Sequence, residues 1–216
     1  ARDLISDLVV ADKTCAMISY IFSLVFPSTG SPLRNYYNFL FSHFANVNIS
    51  DSTTFGDGKI NIKDTAGTLY TEYTAVGFTR SFSMSGTNVV GFYRGAVTTP
   101  EASGILIGTG NTAVSFDDYV LGTLIAHGTS AGQMSYNASE TPLKTWSDPT
   151  MTIQHSRVIT NGSAGSITVK EIGLAGFYNI AGVGKSILVL RDIISDVVVA
   201  VGESIRPVYQ FQVVYP

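Results

Sequence analysis

The chain has 216 residues, of which 13% are charged and 45% hydrophobic, with 21 glycines. That is enough apolar mass for a sizeable core, in the composition of short strands and tight turns. The net charge is −3 and no Lys/Arg cluster exists, which excludes a nucleic-acid footprint; the single cysteine, Cys15, excludes an internal disulfide and a cysteine-based metal site.

Residues 1–50 read differently from the rest and are expected to form a helical assembly segment, followed by one β domain over residues 51–216. No basic n-region or cleavage pattern follows Ala1, so no signal peptide is expected. The stretch DLISDLVVADKTCAMISYIFSLVF reads as a helix or as a mixture of helix and strand. Its apolar part, CAMISYIFSLVF, is about a dozen residues long, short of the ~20 that span a bilayer, so no membrane association is expected. Pro27 and Gly30 then break the chain. In SPLRNYYNFLFSHFANV, Ser31 is placed to cap a helix and Pro32 to open it. Leu33, Tyr36, Tyr37, Leu40 and Phe44 follow at three- and four-residue steps, along one helical face. Phe39 and Phe41 fall off that stripe. With Phe22, Phe26, Tyr36 and Tyr37 they make this segment rich in aromatics that need a second surface, and all six are expected at an interface between subunits.

After Asn48 the pattern becomes β. Asp57-Gly58 is a hairpin signal, and TLYTEYTAVGFTRSFSMS alternates. NVVGFYRGAV and GILIGTG are short strands. The C-terminal part adds SITVKEIGLAGFYN, KSILVLRDI, VVVAVGES and IRPVYQFQVVYP. Strands at this spacing predict an antiparallel β-sandwich, jelly-roll-like, and nothing alternates with helices as a doubly wound fold requires. Residues 111–156 read as polar and irregular, with an excursion loop at GTSAGQMSYNASETPLKTWSDPT.

Two glycine motifs raise the question of a bound phosphate. In IGTGNTAVSFDDYVLG, Gly108 and Gly110 follow an apolar run, but no helix and no acidic residue ~20 positions on complete a dinucleotide fingerprint. AGVGKS ends like a phosphate loop at Gly184, Lys185 and Ser186. Asn179 stands where the first glycine belongs, and SILVLRDI reads as a strand instead of the required helix. Both are expected to be turns, and no cofactor is expected. His43, His127 and His155 have no metal spacing, and neighbouring Asp117 and Asp118 suit a turn better than paired-carboxylate chemistry. No nucleophile elbow is present, so a hydrolase has no motif behind it. Trp146, in PLKTWSDPT, is expected as a loop anchor packed on the sheet, the alternative being an exposed ring that stacks on a sugar or fills a partner's pocket. Asn48, Asn137 and Asn161 each begin an Asn-X-Ser triplet.

The order of motifs over residues 104–216 resembles that of virion structural proteins of tailed bacteriophages. A GTG…DY.L segment is followed by a strand with an E.GL core, an L.R strand and a closing strand pair. The resemblance implies a non-enzymatic subunit of the virion, capsid- or tail-associated, that forms homo-oligomers and contacts other virion proteins. Glu171 and Arg191, the two charges inside otherwise apolar strands, are then expected to pair across neighbouring strands. Gly173 leaves room for a neighbouring side chain, IGTG ends a strand, and DDYVLG begins a segment tied down on the sheet. The alternative is a receptor- or glycan-binding module of a tail fibre, with Trp146, Tyr136 and residues 128–150 as its contact surface.

Overall fold

The computed structural model describes residues 12–16, 32–38, 62–70, 100–180 and 183–214. These residues are mainly β. The strands, in chain order, are β1 (Asp12–Ala16), β2 (Ile62–Lys63), β3 (Leu69–Tyr70), β4 (Gly104–Gly108), β5 (Ser135–Ser139), β6 (Leu143–Ser147), β7 (Thr150–Thr160), β8 (Ile167–Ile180), β9 (Val183–Val199), β10 (Ser204–Ile205) and β11 (Val208–Val214). All pair antiparallel except β1 with β11, which run parallel.

β7 is the spine of the larger sheet. On one side it pairs with β10 and β11, which share a single register, Ile205 opposite Ile159 and Val208 opposite Ser156. They are one line interrupted at Arg206 and Pro207, where proline has no N–H for the ladder. On the other side β5 and β6 form a second interrupted line, with a register irregularity inside β5. These two strands lie in the stretch expected to be an excursion loop. Its Ser, Asn and Thr content hides the alternation, and pairing with β7 supplies the order that composition does not.

The second sheet has the order β4-β8-β9. β8 and β9 form a long hairpin in which Ile180 faces Val183, so the Gly-Lys-Ser motif lies on a strand. Gly184 sits against the Phe177 ring, which a Cβ would strike. KSILVLRDI and VVVAVGES, expected as two strands, are the single strand β9. The polar interruption between them is absorbed as a bulge, because Ile194, Ser195 and Asp196 lie opposite Lys170 alone. A second bulge at Val189 turns its carbonyl outward, where it accepts the N–H of Leu33 at 3.0 Å.

One buried cluster draws from both sheets: Ile105, Ile107, Ile172, Leu174 and Leu188 from the smaller, Ile159, Tyr136 and Tyr209 from the larger. Gly173 is where Leu121 and Leu188 close over the strand, since a Cβ there would lie 2.9 and 2.8 Å from their methyls. Polar ties cross as well. The Tyr209 hydroxyl donates to Asp192 Oδ2 at 3.0 Å, and Asn161 Nδ2 donates to the Val199 carbonyl at 2.9 Å. Burial and the neighbouring Asp192 charge push the Tyr209 phenol up. Asn161 is fully buried with its amide bonded on both atoms.

In the N-terminal part, residues 34–38 are helical. The helix begins two residues later than expected, because Pro32 bridges Leu190 and Leu33 is bonded to Val189 on the edge of β9. Upstream, β1 lies in the stretch read as helix or mixture, and there the strand alternative holds. Phe22, Phe26, Phe39, Phe41, His43 and the Asp57-Gly58 turn lie outside the described residues.

His155, on β7, packs edge-on against Phe211 with ring centroids 6.1 Å apart. Burial pushes its imidazole down from 6.5 to about 4. The folded protein therefore keeps His155 neutral where the unfolded chain takes up a proton. Stability from this residue is complete above pH 6.5 and falls as the pH drops towards 4. The loss is on the order of 3 kcal/mol. Urea unfolding of the wild type and His155→Leu between pH 4 and 7 checks it: the two curves should diverge on the acid side, and parallel curves contradict it.

Candidate functional site

Residues 109–123 leave the end of β4 and return along its outer edge, where Thr109 N–H bonds the Thr123 carbonyl and Ile125 N–H bonds the Ile107 carbonyl. What holds this loop is the pair Glu171 and Arg191, on neighbouring strands β8 and β9. Arg191 Nε lies 2.9 Å from Glu171 Oε2, and the two side chains are 2% and 0% exposed.

The Glu171 carboxylate is saturated. Oε1 accepts from Gly110 N–H at 3.0 Å and Thr123 N–H at 2.7 Å, and Oε2 accepts from Gly122 N–H at 3.0 Å as well as from Arg191. Arg191 continues the network with Nη1 to Asp118 Oδ2 at 2.6 Å and Nη2 to the Thr112 carbonyl at 3.0 Å. Asp118 Oδ2 also takes the Ser115 N–H at 2.8 Å, closing the turn. The glycines follow from this geometry. A Cβ on Gly108 or Gly110 would collide with Glu171 Oε1, and one on Gly122 would lie 3.0 Å from Arg191 Nη2. The motif that looks like a phosphate cradle does cradle an anion, and that anion is the chain's own carboxylate. Both of its oxygens are occupied and shut from water, so Glu171 acts as an internal anchor for the loop.

The anchored loop presents Phe116. Its ring is 46% exposed, with the Arg34 guanidinium 4.6 Å from its centroid and Tyr37, 38% exposed, at 5.7 Å. Arg34 also pairs with Asp117, and its N–H bonds the Phe116 carbonyl. Asn35 fastens the segment below: fully buried, it donates to the Leu188 and Lys63 carbonyls at 3.0 and 2.9 Å and accepts from Lys63 N–H at 2.9 Å. Tyr36 packs partly buried against the core. Of the interface aromatics expected from the sequence, the structure thus brings Tyr37 to the surface beside Phe116, which the sequence reading did not single out.

Trp146 is neither in a loop nor packed away. It lies on β6 opposite Met151 and is 57% exposed, along with Leu143 at 54%. The short hairpin to β7 turns through Asp148-Pro149, whose peptide is cis, and all five residues of β6 are exposed. Tyr136 fails as a contact residue. It is 4% exposed, and its hydroxyl donates to the Ile125 carbonyl at 2.7 Å, while burial pushes its phenol up.

Arg157, missed in the sequence, is the other buried cation. Nε donates to the Asn137 carbonyl at 2.7 Å, and Nη1 to the carbonyls of Pro100, Ser103 and Ile105 at 2.8, 2.9 and 3.3 Å. The guanidinium lies 4.9 Å from the Tyr136 ring centroid, and burial pushes it down to about 10. The available signal was phase: Arg157 falls in step with Ile153, His155 and Ile159 on one face of β7. At the surface, Arg206 bonds Glu140 through both Nε and Nη2 and holds its carboxyl below the usual range, with the Ser156 hydroxyl adding to the effect.

Among the described residues no group of three or more His, Cys, Asp or Glu is gathered as a metal site, and no helix is long and apolar enough to cross a membrane. His127 is used locally, its Nδ1 accepting the Tyr136 N–H at 3.0 Å. No family model, curated protein or solved structure matches the chain.

Proposed function

We propose that this chain is a non-enzymatic structural subunit of a bacteriophage virion, capsid- or tail-associated, which works through contacts with its own copies and with other virion proteins. In this reading the two sheets are the halves of a jelly-roll-like sandwich, and residues 1–50 are the assembly segment. The observation that carries it is the cluster of Arg34, Tyr37 and Phe116. Arginine and aromatic side chains are the types enriched at protein interfaces. Here Phe116 stands on a loop immobilised from beneath by Glu171 and Arg191, and Arg34 and Tyr37 on a helical turn fastened by Asn35, so little order remains to be gained on docking.

Sedimentation of the purified chain at rising concentration tests this. Association into higher species is expected for the wild type and its loss for the double variant Tyr37→Ser/Phe116→Ser, with an unchanged circular dichroism spectrum. A wild type that stays monomeric, or a double variant that assembles as the wild type does, removes the reading. The exposure of Trp146 favours a second reading, a receptor- or glycan-binding module of a tail fibre. A glycan array would separate the two, since a scaffold shows no saccharide preference and a binding module loses its preference with Trp146→Ala.

A further inference from the structure

Among the described residues β6 pairs with β7 alone, and all five of its residues are exposed. It is thus the outer strand of the line β1-β11-β7-β6. Its main-chain directions follow from β7. The Ser156 carbonyl accepts the Glu140 N–H on the β5/β6 side, and the Arg157 N–H reaches the Pro207 carbonyl on the other. Successive residues of a strand alternate in this way. From Ser156 to Thr150 the register of β7 is one to one, without a bulge. Gln154, Thr152 and Thr150 therefore bond across to Leu143, Thr145 and Ser147. The N–H and C=O of Lys144 and Trp146 point away from β7, and those of Lys144 have no partner among the described residues.

An exposed edge is a template for another strand, and charges, prolines or bulges are its usual defences. β6 carries one charge, Lys144, and neither of the others. We infer that this edge pairs antiparallel with β6 of a second copy, about a twofold axis at Thr145. A strand joins its own copy through the residues that point outward, which limits the axis to Lys144, Thr145 or Trp146. An axis at Lys144 sets like charges opposite one another and matches Trp146 with Pro142, which has no N–H. An axis at Trp146 matches Lys144 with Asp148, outside the strand. The axis at Thr145 uses both outward residues of each copy. It places Lys144 opposite Trp146 on one face, ammonium against indole, and Thr145 opposite Thr145 on the other. The lysine that guards the edge in the other registers finds a partner in this one. The lines β1-β11-β7-β6 of two copies then form one continuous sheet. This deepens the reading of contacts between copies, on which it rests, at residues other than Arg34, Tyr37 and Phe116.

Sedimentation of the full chain carrying Tyr37→Ser/Phe116→Ser separates the two contacts. That variant should lose the higher species and stop at a dimer that dissociates on dilution. Adding Thr145→Lys, which sets two ammonium groups at the axis, should abolish the dimer with an unchanged circular dichroism spectrum. Lys144→Pro should do the same, since it removes an outward N–H and leaves the bonds to β7 intact. Disulfide trapping reads the register. In a Cys15→Ser background, Thr145→Cys should give a linked dimer on mild oxidation, because facing residues of such a pair stand about 4.5 Å apart at Cα. Lys144→Cys should give far less, its counterpart in the second copy being displaced by two residues. A monomeric Tyr37→Ser/Phe116→Ser variant, a dimer that survives Thr145→Lys, or equal trapping at both positions overturns the β6 contact and leaves the Phe116 surface standing. Assembly of that variant beyond the dimer, lost with Thr145→Lys, supports β6 and counts against the Phe116 surface alone.

Discussion

Glu171→Ala should destabilise the fold by roughly 3–5 kcal/mol, the range for removing one partner of a buried ion pair. The substitution strips Arg191 Nε of its acceptor and leaves the N–H groups of Gly110, Gly122 and Thr123 without one. Glu171→Gln should recover little of this, because its amide nitrogen would set a donor against donors at whichever oxygen position it takes. Lys170→Ala is the internal comparison. Lys170 is the neighbouring residue, 3.3 Å from an Asp196 side chain that is 61% exposed, and its loss should cost no more than about 1 kcal/mol. Urea unfolding of the three variants gives the ranking, and amide exchange at Gly110, Gly122 and Thr123 should accelerate in the first two. A Glu171→Ala protein no weaker than Lys170→Ala contradicts the clamp.

The second large effect is expected at Arg157. Arg157→Met fills much of the same space without a donor and orphans the carbonyls of Asn137, Pro100, Ser103 and Ile105. Relief of the buried charge opposes that loss, as the downward shift of the guanidinium shows. Four abandoned acceptors outweigh it, for a net cost of roughly 2–4 kcal/mol. Arg157→Lys should fall between, since an ammonium keeps the charge but not the planar fork that reaches both groups of carbonyls. Urea denaturation measures both, and an Arg157→Met variant as stable as the wild type contradicts the role of Arg157 as the tie between these carbonyls.

The clamp was more legible in the sequence than the surface it supports. Glu171 and Arg191 interrupt apolar strands, and a charge in such a place needs a partner. IGTG was legible as a strand end because its glycines close an apolar run and no helical face follows them. The sequence could not say that Gly108, Gly110 and Gly122 answer to Glu171, because a glycine forced by a contact 49 to 63 residues away looks like one chosen for a turn. β5 and β6 lie hidden in a polar stretch whose order comes from β7. Sequence alone splits β9, because Ser195 and Asp196 look like a loop without the bulge that accommodates them. The habit of its residue type sets Trp146 inward, whereas every residue of β6 is exposed and neither face of that strand is buried against the core.

The parallel pairing of β1 with β11 has a mechanical consequence. Asp12 is aligned with Gln210 and Ala16 with Val214. Tension that enters the chain ahead of Asp12 and leaves it after Val214 pulls the two strands past one another along their length. Every hydrogen bond between them is then loaded together, in shear, where an antiparallel pair pulled from one end would peel open rung by rung. The contact between the two most distant described strands is therefore the one oriented to bear a stretching load.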